Sequence, residues 1–128
     1  MTDADAVLWQ YLRWQGALRA VVGERVYVAT ELPAGTTQAQ LPLVLATARG
    51  GGQNYSSTLL RSAYQVQAFG RNEGEARLVG RLVYDVLNDA HAGQIRWARL
   101  EQGPTLLREP QTRWPFALAF YQLAVANG

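Results

Sequence analysis

His91 is the one histidine in the sequence, and with Asp85 and Asp89 it makes the nearest approach to a metal or acid–base cluster. A divalent site needs three or four donors converging on one point. These three stand at i, i+4 and i+6 around the end of a helical pattern, with no further donor cluster to complete them, and they read as a solvated helix end. Gly50, Gly51 and Gly52 raise phosphate chemistry instead. A phosphate loop feeds a helix N-terminus and carries Lys and Ser/Thr directly behind its glycines. Here Gln53, Asn54, Tyr55, Ser56 and Ser57 follow, then strand residues, and the chain has no lysine. The triplet therefore reads as the bend of a hairpin, where glycine and asparagine tolerate positive φ. Ser56, Ser57 and Ser62 stand outside any G-x-S-x-G elbow, with His91 as their sole conceivable base. Glu73 and Glu75 sit where the first turn of a helix favours acids. No catalytic, cofactor-binding or metal residue is assigned. What remains is a projecting loop, Arg49, Gly50, Gly51, Gly52, Gln53, Asn54 and Tyr55, expected to be a mobile tip available to a partner or a polyanion.

The composition is that of one globular domain. The 128 residues are 48% hydrophobic and 17% charged, enough to bury a core without metal or disulfide. Cysteine is absent, which removes disulfide frameworks, thiolate metal sites and cysteine nucleophiles together. No apolar run approaches the roughly 18 residues of a membrane span, and the acidic start Met1-Thr2-Asp3-Ala4-Asp5 lacks the basic region of a signal peptide. The expectation is a cytoplasmic protein without membrane contact. The net charge is only +2 although the pI is about 9.3, because all twelve basic residues are arginine. Residues 1–64 carry five Arg against four acids and residues 65–128 seven against six, so no half of the chain concentrates cations.

These residues have to be positioned by an α+β arrangement. Residues 3–22 read as one helix, opened by Asp3 and Asp5 and stopped at Gly23. Its stripe is Val7, Tyr11, Trp14, Leu18, Val21 and Val22, widened by Leu8 and Leu12. Trp9 falls on another side near Arg13 and is a candidate exposed interface aromatic. Strands are predicted at 25–29, 43–48, 58–69, 93–102 and 113–125, with a loop over 30–42 and turn-rich residues over 103–112. Ala76, Val79, Gly80, Val83, Val86, Leu87 and Ala90 line one side of a helix from Glu73 to Ala90. The order α-β-β-β-α-β-β implies an antiparallel or mixed sheet of about five strands with two helices on one face. Trp97 and Trp114 fall on strands and read as packing rather than as base-stacking groups. In the last strand Tyr121, Leu123 and Val125 oppose Phe116, Leu118 and Phe120. A strand apolar on both sides suggests self-association.

The stretch YQVQAFGRNEGEARLVGRLVYDVLND joins a strand ending in an aromatic to a short turn and an acid-started helix. IRWARLEQGPTLLREPQTRWPFALAFYQL then gives a strand, a turn region ending Glu109-Pro110-x-Thr112, and a long final strand. With LRAVVGERVYVATELPAG and LPLVLAT before them, these elements span roughly residues 8–125. In order and spacing they resemble the tail terminator, or tail-completion, proteins of long-tailed bacteriophages and gene-transfer particles. The resemblance implies a structural virion protein assembled in the host cytoplasm. It implies a homo-oligomeric ring, typically a hexamer, capping the head-proximal end of the tail tube and ending tube polymerisation. The implied partners are the tail tube protein, a head-completion or neck protein, and genome DNA passing through the lumen without sequence-specific binding.

Two other readings have their own signatures. A small enzyme or ligand-binding α+β domain would show a buried pocket with a pKa-shifted carboxylate near His91. A nucleic-acid-binding regulator would show an arginine-lined face, particularly one combining Arg61, Arg96, Arg99 and Arg113.

Overall fold

Asp3 opens helix α1 (Ala4–Arg13) by accepting hydrogen bonds from the N–H groups of Asp5 and Ala6 at 3.0 and 3.3 Å. The helix does not run on to residue 22. Trp14 caps it, Gln15 is extended at φ −78° and ψ 112°, and a second helix, α2 (Gly16–Val22), begins there. The break re-aims the stripe: Leu8, Leu12, Leu18 and Val22 are sealed, Val7, Tyr11 and Val21 are half-buried, and Trp14 is left outside. Gly23, at φ +62°, ends α2 as its position in the sequence leads one to expect.

A computed structural model describes residues 3–49, 54–55 and 59–126 of the protein. The strands are β1 (Val26–Val28), β2 (Leu43–Ala48), β3 (Asn54–Tyr55), β4 (Leu59–Phe69), β5 (Ile95–Arg108) and β6 (Pro115–Ala126), and helix α3 (Glu73–Leu87) lies between β4 and β5. The sheet order is β1-β2-β4-β6-β5, with the two-residue β3 also paired to β4. Only β1–β2 is parallel among the described pairs, so the sheet is mixed. The α+β class and the helices on one face are as expected; the split first helix and the short β3 are additions.

Helix α3 is the element that the sequence marks most clearly. Asn72 accepts from the Glu75 N–H at 2.8 Å, and Glu75 holds the Arg71 guanidinium at 2.7 Å and its backbone N–H at 2.9 Å. Ala76, Val79, Gly80, Val83 and Leu87 are buried against β4, β5 and β6, with Val86 only partly covered. Full burial of a valine or leucine contributes about 1.5–3 kcal/mol, so this stripe seats the helix. The helix ends at Leu87, and Ala90 is buried in the turn beyond it.

Strand β5 is longer than expected and takes in most of the stretch read as turns. The strand has three register irregularities, between Ile95 and Trp97, Leu100 and Gln102, and Gln102 and Thr105, and the last of them absorbs Gly103 and Pro104. Gly103 sits at φ +93°, where an added Cβ would stand 2.4 Å from the Leu118 carbonyl oxygen. Only glycine fits there.

The sheet carries a core on each face. The helix-covered face includes Leu8, Leu12, Leu18, Tyr64, Val83 and Leu123. The reverse face carries a smaller cluster of Leu41, Leu43, Leu45, Phe69 and Phe116, roofed by Tyr27, Leu32, Leu118 and Trp114. Phe69 meets Phe116 at 5.1 Å and the edge of Trp114 at 6.4 Å between ring centroids. The loop over 30–42 thus folds back as a lid. This corrects the inference from β6: its two apolar faces are largely covered within one chain, so they do not by themselves require a second copy.

Candidate functional site

Register extends the reverse face beyond this lid. Across β2, β4, β6 and β5 it runs in rows: Thr47, Gln65, Phe120 and Gln102; then the residues Ala63, Gln122 and Arg99; then Arg61, Ala124 and Trp97. The backbone N–H of Arg49 bonds the Ala63 carbonyl at 2.9 Å, which puts Arg49 at the end of the second row. Three arginines therefore share one open sheet face although 50 residues separate the first from the last.

Aromatic rings hold them there. The Arg49 guanidinium lies 4.7 Å from the Phe120 centroid, and Arg61 and Arg99 lie 5.9 and 5.4 Å from the Trp97 centroid. A guanidinium stacked on a ring keeps its in-plane N–H donors free for oxygen ligands. Arg49 also approaches Glu101, at 3.9 Å, with both side chains partly exposed. Among the described residues neither Arg61 nor Arg99 has an ion-pair partner. The glutamines between them, Gln65 and Gln122, are half-buried and neutral. The arrangement suits an anion held by charge and by hydrogen bonds; it assembles no nucleophile or general base.

Of the expected loop, Arg49 begins this face. Gly50, Gly51, Gly52 and Gln53 lie outside the described residues, as do Ser56 and Ser57. Asn54 and Tyr55 pair in register with Arg61 and Leu60, so the hairpin ladder resumes beyond the triplet. Trp9 is not the exposed aromatic. Its indole N–H donates to the Val26 carbonyl at 3.0 Å and Arg13 lies 4.6 Å above its ring, which pins α1 to β1. The exposed one is Trp14, 73% accessible, with Arg19 at 5.4 Å. Helical spacing alone misplaced both: Trp9, inside α1, is covered by β1, and Trp14 stands at the break that ends the helix.

His91, Asp85 and Asp89 are exposed, and Asp89 adopts φ +62° in the turn after α3, where its N–H bonds the Ala98 carbonyl at 2.7 Å. Ser62 is buried on the helix face. Glu73 pairs with Arg108 at 3.0 Å, tying the start of α3 to the end of β5. Two carboxyls have displaced pKa values, both lowered. Glu75 is held down chiefly by its hydrogen bonds to Arg71, and Glu109 by the backbone N–H and hydroxyl of Thr112. Each organises a turn, and neither belongs to the His91 region. A groove of about 400 Å³ runs between α1 and the turn before β5, lined by Tyr11, Trp14, Gln15, Gln94 and Ile95 among others. Of the four arginines proposed for a basic face, Arg61 and Arg99 share it. Arg96 falls at the first β5 irregularity, and Arg113, at φ +66°, lies in the β5–β6 turn. The partner that the sequence pattern did not reveal is Arg49, which stands immediately beyond the end of β2.

No protein-family model and no curated protein matches the chain. Among solved structures it is similar to a chain of the virion of a native gene transfer agent particle. The two align with a TM-score of 0.66 and 16% identity, over 96% of this chain and 94% of that one. At that identity the likeness establishes a shared fold, from end to end of both chains.

Proposed function

We propose that the protein is a structural component of a phage-like virion. In this reading it is a tail terminator that forms a homo-oligomeric ring, typically hexameric, at the head-proximal end of the tail tube. The ring stops tube polymerisation, meets the head-completion or neck protein on its other side, and passes genome DNA through its lumen. The observation that carries the reading is the near-complete mutual coverage with a gene transfer agent virion chain. The element order read from the sequence independently resembles the tail terminators of long-tailed phages and gene-transfer particles, which is what supports the finer reading. The stretch from Arg49 to Tyr55 is proposed as a contact with a neighbouring subunit, the tube or the neck.

Negative-stain imaging of the purified protein at high concentration tests this directly. Closed rings with an open centre are the expected result, and in a reconstituted system they shorten tube growth. A monodisperse monomer that leaves tube length unchanged would overturn the proposal.

A further inference from the structure

We infer that the open part of the reverse sheet face, carrying Arg49, Arg61 and Arg99, binds the phosphodiester backbone of nucleic acid without reading its sequence. The assignment rests on the proposed function only for where the DNA comes from. The face itself is a property of the folded chain.

The charge on this face is unbalanced. Arg61 and Arg99 flank Trp97 with no ion pair among the described residues, and the carboxylate near Arg49 is a single exposed glutamate at 3.9 Å. Four arginines elsewhere are ion-paired, Arg71 with Glu75, Arg108 with Glu73, and Arg13 and Arg19 with Glu24. Arg25, Arg77, Arg81, Arg96 and Arg113, like Arg61 and Arg99, have no ion pair among the described residues, so what sets this face apart is that its arginines share it with aromatic rings. Arg49 and Arg99 stand at the ends of one row, three strand spacings apart, about 14 Å at the backbone. Cations spread so widely match a ligand whose charge repeats along its length better than a single carboxylate. An acidic peptide would bind by adding a strand or laying a helix in a groove. The centre of this face offers no strand edge, because β4 and β6 are hydrogen-bonded to neighbours on both sides.

The number of charges also sets the strength. Three neutralised phosphates give a log–log salt slope of about −2.7 per engaged subunit, so affinity falls roughly 40-fold between 50 and 200 mM salt. Such a face touches DNA at low salt and releases it readily near physiological salt. That suits a surface along which a duplex has to move.

Fluorescence anisotropy with a 30-base-pair duplex of mixed sequence, titrated over a salt series, tests the assignment. The wild type is expected to bind at low salt. The pair Arg61→Gln and Arg99→Gln should reduce the salt slope to about one third, whereas Arg77→Gln with Arg81→Gln, an equal change of net charge on the outer side of α3, should leave it unaltered. Arg61→Lys with Arg99→Lys keeps the charge and should keep the slope, which separates lost charge from lost packing on Trp97 should the glutamine pair melt early. Absence of DNA binding at low salt, an equal loss in the Arg77 and Arg81 pair, or tighter binding to polyglutamate than to DNA would each overturn the inference. Imaging the same variants separates the two questions. Rings that persist when DNA binding is lost support both proposals, and DNA binding by a protein that forms no rings leaves this one standing alone.

Discussion

Gly80 is where helix α3 comes closest to the sheet. A Cβ built at this position would lie 2.7 Å from the Ala117 Cβ and 3.9 Å from that of Ala68. Carbon atoms rest at about 3.5–4.0 Å, so Gly80→Ala drives the helix outward by about 1 Å or twists it. A radial gap of that size forfeits a quarter to a half of the dispersion contact at the facing atoms, here those of Val79, Val83 and Leu87. Overpacking of this kind costs about 1–3 kcal/mol, and alanine returns about 1 kcal/mol of helix propensity. The net expectation is destabilisation by about 1 kcal/mol. The sharper quantity is the coupling with Ala117→Gly, which moves the methyl group from sheet to helix and removes the clash. Urea unfolding followed by circular dichroism, run on the four-membered cycle, should show the double variant more stable than the sum of the singles by about 1–2 kcal/mol. A Gly80→Ala protein more stable than wild type by the full propensity gain, with no coupling to Ala117, would refute the seating of α3 described above.

Val83→Asp, at a position 1% exposed, should cost about 4 kcal/mol or more through an unpaired buried charge; melting near the wild-type temperature would put the wrong side of α3 inward. Tyr121 buries a hydroxyl with no hydrogen-bond partner among the described residues, whereas Tyr64 donates to Asp5 at 2.5 Å. Calorimetry should therefore find Tyr121→Phe raised in melting temperature by about 3–5 °C and Tyr64→Phe lowered. Burial pushes both phenols well above their ordinary 10.0, Tyr64 being raised further by Asp5, so the stability they contribute is intact below pH 10 and is lost as pH rises beyond it. Unfolding free energy should decline by about 1.4 kcal/mol per pH unit for each tyrosine, and a flat profile to pH 11.5 in the wild type would contradict their burial.

The sequence makes α3 legible because every local cue agrees there: acids in the first turn, an asparagine cap, and apolar residues at helical spacing up to Leu87. It misleads over residues 3–22 because the apolar stripe continues in phase across a break. Only the extended Gln15 shows that Leu18 belongs to a new helix while Trp14 turns to solvent. Gly103 and Pro104 look like the end of a strand; the strand instead carries them as an irregularity and runs on to Arg108. The second core was out of reach, since it forms only when Leu32 and Leu41 fold over Phe69 and Phe116. The basic face was partly visible. Arg61 and Arg99 stand out by type, but joining them to Arg49 needs the register of four strands, which periodicity does not contain.

The covered cores also constrain how a ring can be held. The exposed large apolar residues among those described are Trp14, Leu78, Tyr84 and Leu107, which stand on the α1–α2 junction, on α3 and on β5. Scattered over the surface, they do not make the apolar patch of an obligate interface. A subunit in a closed ring has two neighbours, and two ordinary contacts of about 800 Å² each would cover roughly a quarter of the 6959 Å² that the chain exposes. That area has to be found mostly among polar groups and arginines. Contacts of this composition are weakened by salt, and closure compensates because every subunit is held from both sides. The proposed ring should therefore dissociate steeply and together on dilution or at high salt, with little open intermediate, as read by mass photometry. Rings that survive nanomolar dilution in 1 M salt would require a large apolar interface, and would contradict the closed packing of β6 within one chain.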